Sequence, residues 1–275
     1  MIPAYDASAT LAVAVKSALR DLPQNSEVLI YLDGADPKAS KVLETIKDKR
    51  VRVLESYENS GVFHARNMLI DNAKGKFVAN LDADDVTLRY RFKRQIKLLE
   101  EDYSDIVFSN AIYLKHKRWG TTLRPLFPFP MNHLVSPIAL ALYDPFVNPT
   151  MASRLTTLAG LGGYRDCPAE DYEMWIRAAV KGLRLARDSN YGVLHRVHDK
   201  QMTHSLDWQK ASKVDGVIRD SKRLLWKELG LLDSKEEFDI DAANNLLKRT
   251  SKLAEIELFG MSEFLKKHLS RNRSE

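Results

Sequence analysis

The sequence predicts an α/β protein, a mostly parallel sheet flanked by helices, with a helical C-terminal appendage. Two patterns carry this. Through the first half, short apolar runs alternate with amphipathic helical stretches, as in parallel strands joined by right-handed crossovers. From Leu206 onward the apolar residues recur at helical spacing instead. A third observation locates a site. The apolar run over residues 77–81 spills into Asp82-Ala83-Asp84-Asp85. Open α/β sheets bind ligands at the carboxyl edge of their strands, so this run delivers carboxylates to that edge.

Composition narrows the class. A chain of 275 residues with 44% hydrophobic content can bury a substantial core. The single cysteine, Cys167, excludes an intramolecular disulfide framework and a cysteine-based zinc site, and it fits a reducing compartment. Forty-two basic residues against 37 acidic ones give a net charge of +5, with no long basic block before the tail. That mild excess does not call for nucleic acid, and it suits a nucleotide diphosphate or an anionic membrane face. No signal peptide is evident, and the most apolar stretch, residues 134–142, is broken by Pro137 and falls short of the roughly 20 residues that span a bilayer. The expectation is a soluble, cytoplasmic protein.

The elements follow in order. Ile2-Pro3-Ala4-Tyr5-Asp6 directly follows Met1, and residues 7–19 read as a helix with Leu11, Val15, Ala18 and Leu19 on one face. Residues 27–32 form a buried strand ending in Asp33-Gly34, then come a helix over 39–49 and a strand over 51–54. Asn59 or Ser60 can cap the next helix, on which Val62, Ala65, Leu69 and Ala73 recur, and Gly75 suits its C-terminal end. After the strand over 77–81, Asp82 and Asp84 project the same way if the chain stays extended. Two aligned hard oxygen donors suit a divalent cation that keeps positions open for phosphate oxygens. Residues 89–101 read as a charged surface helix and 105–109 as a strand. The proline-rich stretch 115–150 carries Trp119, Phe127 and Phe129, which can stack on sugar faces or pack in the core. Pro168, Glu170 and Asp171 open a helix whose dipole favours an ionised carboxylate, and Gly182 closes it. Strand-like runs follow at 183–186 and 191–198. The dinucleotide and P-loop glycine fingerprints are absent.

Several of these segments together resemble a known family. The run from Gly61-Val62-Phe63-His64-Ala65-Arg66-Asn67 to Asp82-Ala83-Asp84 is similar to the core signature of family 2 glycosyltransferases, GT-A-fold enzymes with an Asp-x-Asp metal motif. Gly162-Gly163-Tyr164, followed by Glu170-Asp171 and Trp175, resembles a second family signature. Weaker likenesses are Ile2 to Asp6, Asp33-Gly34, and Arg196-Val197-His198. The resemblance spans residues 2–204 and implies a GT-A domain over 1–204 and a helical extension over 205–275. It implies nucleotide contacts from Pro3, Tyr5, Asp33, Arg66 and Asp82, and a Mn²⁺ or Mg²⁺ ion held by Asp84, with Asp82 assisting or touching the ribose. His198 would hold metal or diphosphate, Asp171 would act as catalytic base, and Glu170 stands as the alternative base.

The implied activity is inverting transfer of one sugar from a nucleotide-diphosphate sugar, with UDP expected, to a hydroxyl of a glycan or lipid-linked acceptor, as in polysaccharide biosynthesis. Processive polymerases of the family carry Gln-x-x-Arg-Trp, which this chain lacks. Three departures from the family pattern stand out: Leu32 replaces an Asp, Asp6 replaces an Asn, and the apolar residues that normally precede Ile2 are missing. The first strand is therefore expected as a stub, or the true start lies upstream. These departures sustain an alternative, a catalytically degenerate nucleotide-sugar-binding protein of the same fold. The basic stretch 266–273 reads either as a frayed tail or as a surface leaning on the inner face of an anionic membrane.

Overall fold

The computed structural model describes residues 1–117, 120–126, 130–198, 201 and 206–253. Strands β1 (Ile2–Ala4), β2 (Val28–Asp33) and β3 (Val51–Ser56) form a parallel sheet in the order β1-β2-β3. Helices α1 (Leu11–Asp21) and α2 (Pro37–Glu44) make its two crossovers, and α3 (Val62–Asn72) leads from β3 to the second sheet. Every residue of β2 is buried, and its period-two alternation supplies two layers. Val28, Ile30 and Leu32 pack with Leu11, Val15 and Ala18 of α1. Leu29 and Tyr31 pack with Ala65 and Leu69 of α3. Each such aliphatic side chain contributes about 1.5–3 kcal/mol by leaving water.

The parallel alternation ends at the acidic turn. Strands β4 (Phe77–Ala79), β5 (Val86–Thr87), β6 (Ile106–Lys117), β7 (Gly120–Pro125), β8 (Met151–Arg154) and β9 (Leu185–Val197) form a mixed sheet in the order β4-β8-β6-β9-β5, with β7 pairing the later residues of β6, past its pairing with β8. Here only β6 and β9 run parallel. The two sheets meet at β1 and β4, where Leu81 N–H donates to Met1 O at 3.1 Å and the Met1 amine donates to Ala79 O at 2.8 Å. Against this frame lie α4 (Arg91–Glu100), α5 (Ser136–Leu142), a 3₁₀ turn at Asn148–Thr150, α6 (Leu155–Leu161) and α7 (Glu170–Val180). The two expected strands over 183–186 and 191–198 are one long strand, β9. Gly192 within it lies so close to β6 that a Cβ there would stand 2.2 Å from Ser109 Oγ.

Several local expectations are corrected. α1 begins at Leu11, because Ala7 to Thr10 form a turn in which Ala7 O accepts from Thr10 and Leu11 N–H. Neither Asn59 nor Ser60 is the N-cap of α3. That residue is Gly61, at φ 91°, a conformation glycine adopts without strain. Gly75 does not end α3, which closes at Ala73. Asp6 adopts φ 46°, in the left-handed region that Asn and Asp tolerate, so the exchange of one for the other there is accommodated by the backbone.

Helices α8 (Leu206–Val214), α9 (Gly216–Glu228) and α10 (Ile240–Leu253) follow, and the chain divides into two compact units, Met1–Leu225 and Trp226–Glu275. In the second unit the Trp226 and Phe238 rings lie 4.9 Å apart and Leu231 is buried. Trp119, Phe127, Phe129 and the basic stretch 266–273 lie outside the described residues. Among the described residues no helix is long and apolar enough to cross a membrane.

Candidate functional site

The acids after β4 do not stay extended. The chain turns at Ala83-Asp84, closed by Asp85 N–H donating to Asp82 O at 3.1 Å, so Asp82 and Asp84 take different partners. Asp84 Oδ2 lies 3.1 Å from His198 Nε2, at the end of β9. Asp82 Oδ1 lies 3.6 Å from Arg66 Nη2. Burial pushes the Asp82 carboxyl upward, with Arg66 opposing and Asp84 adding to the shift.

Arg66 is the centre of a buried network. On the inner face of α3 it is 7% exposed, so it is not a solvated helix charge. It ion-pairs with Glu170 at the start of α7 and lies over the Tyr164 ring, 5.4 Å from its centroid. Burial opposes its charge, yet Glu170 and Asp82 together hold the guanidinium above its ordinary value. Asn148 lies between Asn80 and Arg66. In one amide orientation it accepts from Asn80 Nδ2 at 2.9 Å, and in the other from Arg66 Nη2 at 2.8 Å. The charged donor favours the second. Tyr164 OH accepts from Asn80 Nδ2 at 2.9 Å, and Asn67 clamps the Tyr164 backbone through both its amide atoms at 2.8 Å.

Glu170 and Asp171 thus separate in environment. Glu170 is 5% exposed, and burial raises its carboxyl to about 7 despite the Arg66 partner. Asp171 is half-buried at the N-terminus of α7, where its Oδ1 accepts from Tyr172 N–H at 2.8 Å. The α7 frame is held from below: Glu173, fully buried, pairs with Arg177 at 2.8 Å and accepts from Ser221 Oγ of α9 at 2.9 Å. Arg177 in turn donates to Gly163 O at 2.7 Å, fixing the glycine turn that leads to Tyr164.

The strand ends carry the remaining candidates. Asp33 closes β2 and is buried, with its two oxygens accepting from Ser60 and Gly61 N–H, each at 2.9 Å. It therefore holds the turn into α3, with Asn59 Oδ1 also accepting from Gly61 N–H at 3.0 Å, while no side chain caps the first turn of the helix. Tyr5, after β1, is 65% exposed and its ring borders Gly34. Pro3 is half-buried within β1.

Sequence reasoning missed two acids. Asp85 is 1% exposed and bonds His195 Nδ1 at 2.9 Å and Arg196 N–H at 2.8 Å. Burial raises Asp85 to about 6, while for His195 the Asp85 carboxylate overcomes burial and raises the ring to about 9. Asp199, next to His198 in sequence, lies outside the described residues, and the pairing of β5 with β9 brings Asp84 and Asp85 to the two histidines. The second acid is Asp144, after α5, whose carboxyl is driven well up by burial and then by Asp171.

The donors can be tested against a divalent ion. Among the described residues no three His, Cys, Asp or Glu side chains gather as a closed metal site. Asp84 and His198 form a pair whose 3.1 Å separation matches neighbouring positions around an ion with bonds of about 2.1 Å. An open pair suits Mg²⁺ or Mn²⁺, which take up substrate phosphates as further ligands. The residues fit.

Comparison with known proteins identifies the family and the fold. The family model described as glycosyl transferase family 2 matches residues 1–155. The chain is 26% identical over 231 residues to the UDP-Glc:alpha-D-GlcNAc-diphosphoundecaprenol beta-1,3-glucosyltransferase WfaP of Escherichia coli, covering 84% of this chain and 86% of that protein. It is 31% identical over 183 residues to an uncharacterized glycosyltransferase of Rickettsia conorii, covering 66% of this chain and 30% of that longer protein. Among solved structures, S. aureus TarS 1-349 in complex with UDP-GlcNAc superposes with a TM-score of 0.65 over 91% of this chain and 71% of that one, at 18% identity.

Proposed function

Because this chain belongs to glycosyl transferase family 2, we propose that it transfers one sugar from a UDP-sugar to a hydroxyl of a glycan or lipid-linked acceptor, with inversion and with a divalent metal. The observation that supports this best is the convergence of Asp82, Asp84, His198, Arg66, Glu170 and Asp171 at the junction of the two sheets. Two roles separate there, as catalysis of this kind requires. Asp84 and His198 would hold Mn²⁺ or Mg²⁺, which when bound neutralises charge developing on the leaving diphosphate. Asp171 stands half-buried at the N-terminus of α7 and takes the proton of the attacking hydroxyl.

Arg66 and Glu170 act differently. Glu170 is paired and buried, which suits it to fixing Arg66 beside Asp82 rather than meeting an acceptor. Pro3, Tyr5, Asp33 and Asp82 are proposed nucleotide contacts, Asp33 through the turn it holds and Tyr5 through its exposed ring. The name of the WfaP relative supports a UDP-glucose donor and a diphospholipid-linked GlcNAc acceptor. An acceptor of that kind would draw the protein to the inner face of a membrane. Residues 1–204 are proposed as the catalytic domain and 205–275 as its extension.

The test is transfer from UDP-glucose to a GlcNAc-diphospholipid, with the anomeric configuration of the product read by NMR. Wild type should give the β product. Asp171→Asn should cut turnover by at least about 10³-fold while still binding UDP-glucose with metal. An Asp171→Asn enzyme with near-normal turnover would remove Asp171 as base, and an α product would remove inversion.

A further inference from the structure

We propose that Asp85 is a positioning residue for the metal pair: with His195 it sets the distance between Asp84 and His198. The inference rests on the metal reading of the site given above. Asp84 lies in a turn and His198 lies just past the end of β9, so neither element fixes the other by itself. What joins them is cross-strand register. β5 pairs antiparallel with β9 through Val86↔Leu194 and Thr87↔Val193. Continued by one residue, that register sets Asp85 opposite His195, and the side chains meet there at 2.9 Å.

Asp85 is built for holding rather than for binding. Its side chain is fully buried, and its two oxygens take different partners on β9, His195 Nδ1 through Oδ2 and Arg196 N–H through Oδ1. The next residue pair is tied in the reverse sense, with Arg196 Nε donating to Asp84 O at 2.9 Å. Beyond it, Gln201 Nε2 donates to Arg196 O at 2.7 Å, bracing the strand end that leads to His198. Three consecutive bonds therefore lock the acidic turn to β9 before Asp84 Oδ2 and His198 Nε2 come to 3.1 Å. Loss of the Asp85 carboxylate removes two of the three bonds and leaves Arg196 Nε to Asp84 O alone to hold the turn to the strand. Outer partners of metal ligands typically contribute about 10–100-fold to metal affinity.

The experiment measures Mn²⁺ affinity by the electron-paramagnetic signal of free Mn²⁺, on the full chain with saturating UDP. Melting in EDTA supplies the metal-free control. Asp85→Ala should weaken Mn²⁺ by about 10–100-fold. His195→Leu should weaken it by a similar factor. His195→Asn, whose amide N–H can replace the Nδ1 donor, should stay within about threefold of wild type. The His195 pair decides the matter even if Asp85→Ala does not fold. Unchanged Mn²⁺ affinity in Asp85→Ala with a lowered melting temperature would mark a purely structural residue and overturn the inference. So would equal affinities in His195→Asn and His195→Leu. A wild-type protein that binds no Mn²⁺ beside UDP would instead remove the metal reading itself, and this inference with it.

Discussion

Replacing Arg66 by Met keeps much of the apolar stem and deletes the guanidinium, which isolates Glu170. The attraction being removed is large: at 3.6 Å from Asp82, an effective dielectric near 20 gives about 5 kcal/mol before desolvation is counted. Desolvation offsets most of that, and the net cost of stripping one partner from a buried pair is about 3–5 kcal/mol. The cost must depend on pH. Glu170 titrates near 4.5 in the unfolded chain and is raised to about 7 in the folded one, by burial against the pull of Arg66. An acid with a raised folded value holds its proton more tightly when folded, so its contribution falls as pH rises from 4.5 to 7. Without Arg66 the carboxyl rises further, and the penalty extends to higher pH. Urea unfolding of Arg66→Met should therefore show a loss of about 3–5 kcal/mol at pH 8 and a clearly smaller one at pH 5. Adding Glu170→Gln should recover part of the loss at pH 8, because a neutral amide replaces the orphaned charge. A loss below about 1 kcal/mol, or one equal at both pH values, would refute the reasoning.

Three other outcomes follow from the same contacts. Tyr164→Phe removes the acceptor for Asn80 Nδ2 and should cost about 1–2 kcal/mol in urea unfolding, while the retained ring face over Arg66 keeps UDP affinity within about threefold. Cys167 is pushed up to about 12 by burial and by Glu173, so at pH 8 its alkylation by iodoacetamide should run about 10³-fold slower than that of a free thiol and recover in urea. A chain ending at residue 205 loses the bonds from Trp208 to Pro168 O and from Ser221 to Glu173, and should melt at least about 5 °C below one ending at residue 228. Equal melting of the two would show that α8 and α9 do not support α7.

The first sheet was readable chiefly through β2, which is buried on both faces and shows no polar interruption before Asp33. The mixed sheet was harder. β9 pairs with both β5 and β6, and nothing in residues 185–197 announces partners that lie far away in sequence. The family resemblance marked the motif residues, but not their partners. Arg66 stands out through the family resemblance, but its buried partner Glu170 shows only once α7 is in place, and Asp85 reads as one more acid of the turn until β9 supplies His195. Asp33 illustrates the opposite case. Its position at a strand end is plain in the sequence, whereas its two bonds to the Ser60 and Gly61 amides belong to the fold.

Release of nucleotide diphosphate from UDP-, GDP- and dTDP-sugars, with Mn²⁺ or with EDTA, in wild type and in Asp84→Ala, probes the donor site itself. The geometry of Asp84 with His198 predicts slow hydrolysis of a UDP-sugar by wild type with Mn²⁺. It predicts a loss of at least about 100-fold in EDTA and in Asp84→Ala. Hydrolysis that persists unchanged in EDTA and in Asp84→Ala would contradict a metal-assisted transferase built on this turn.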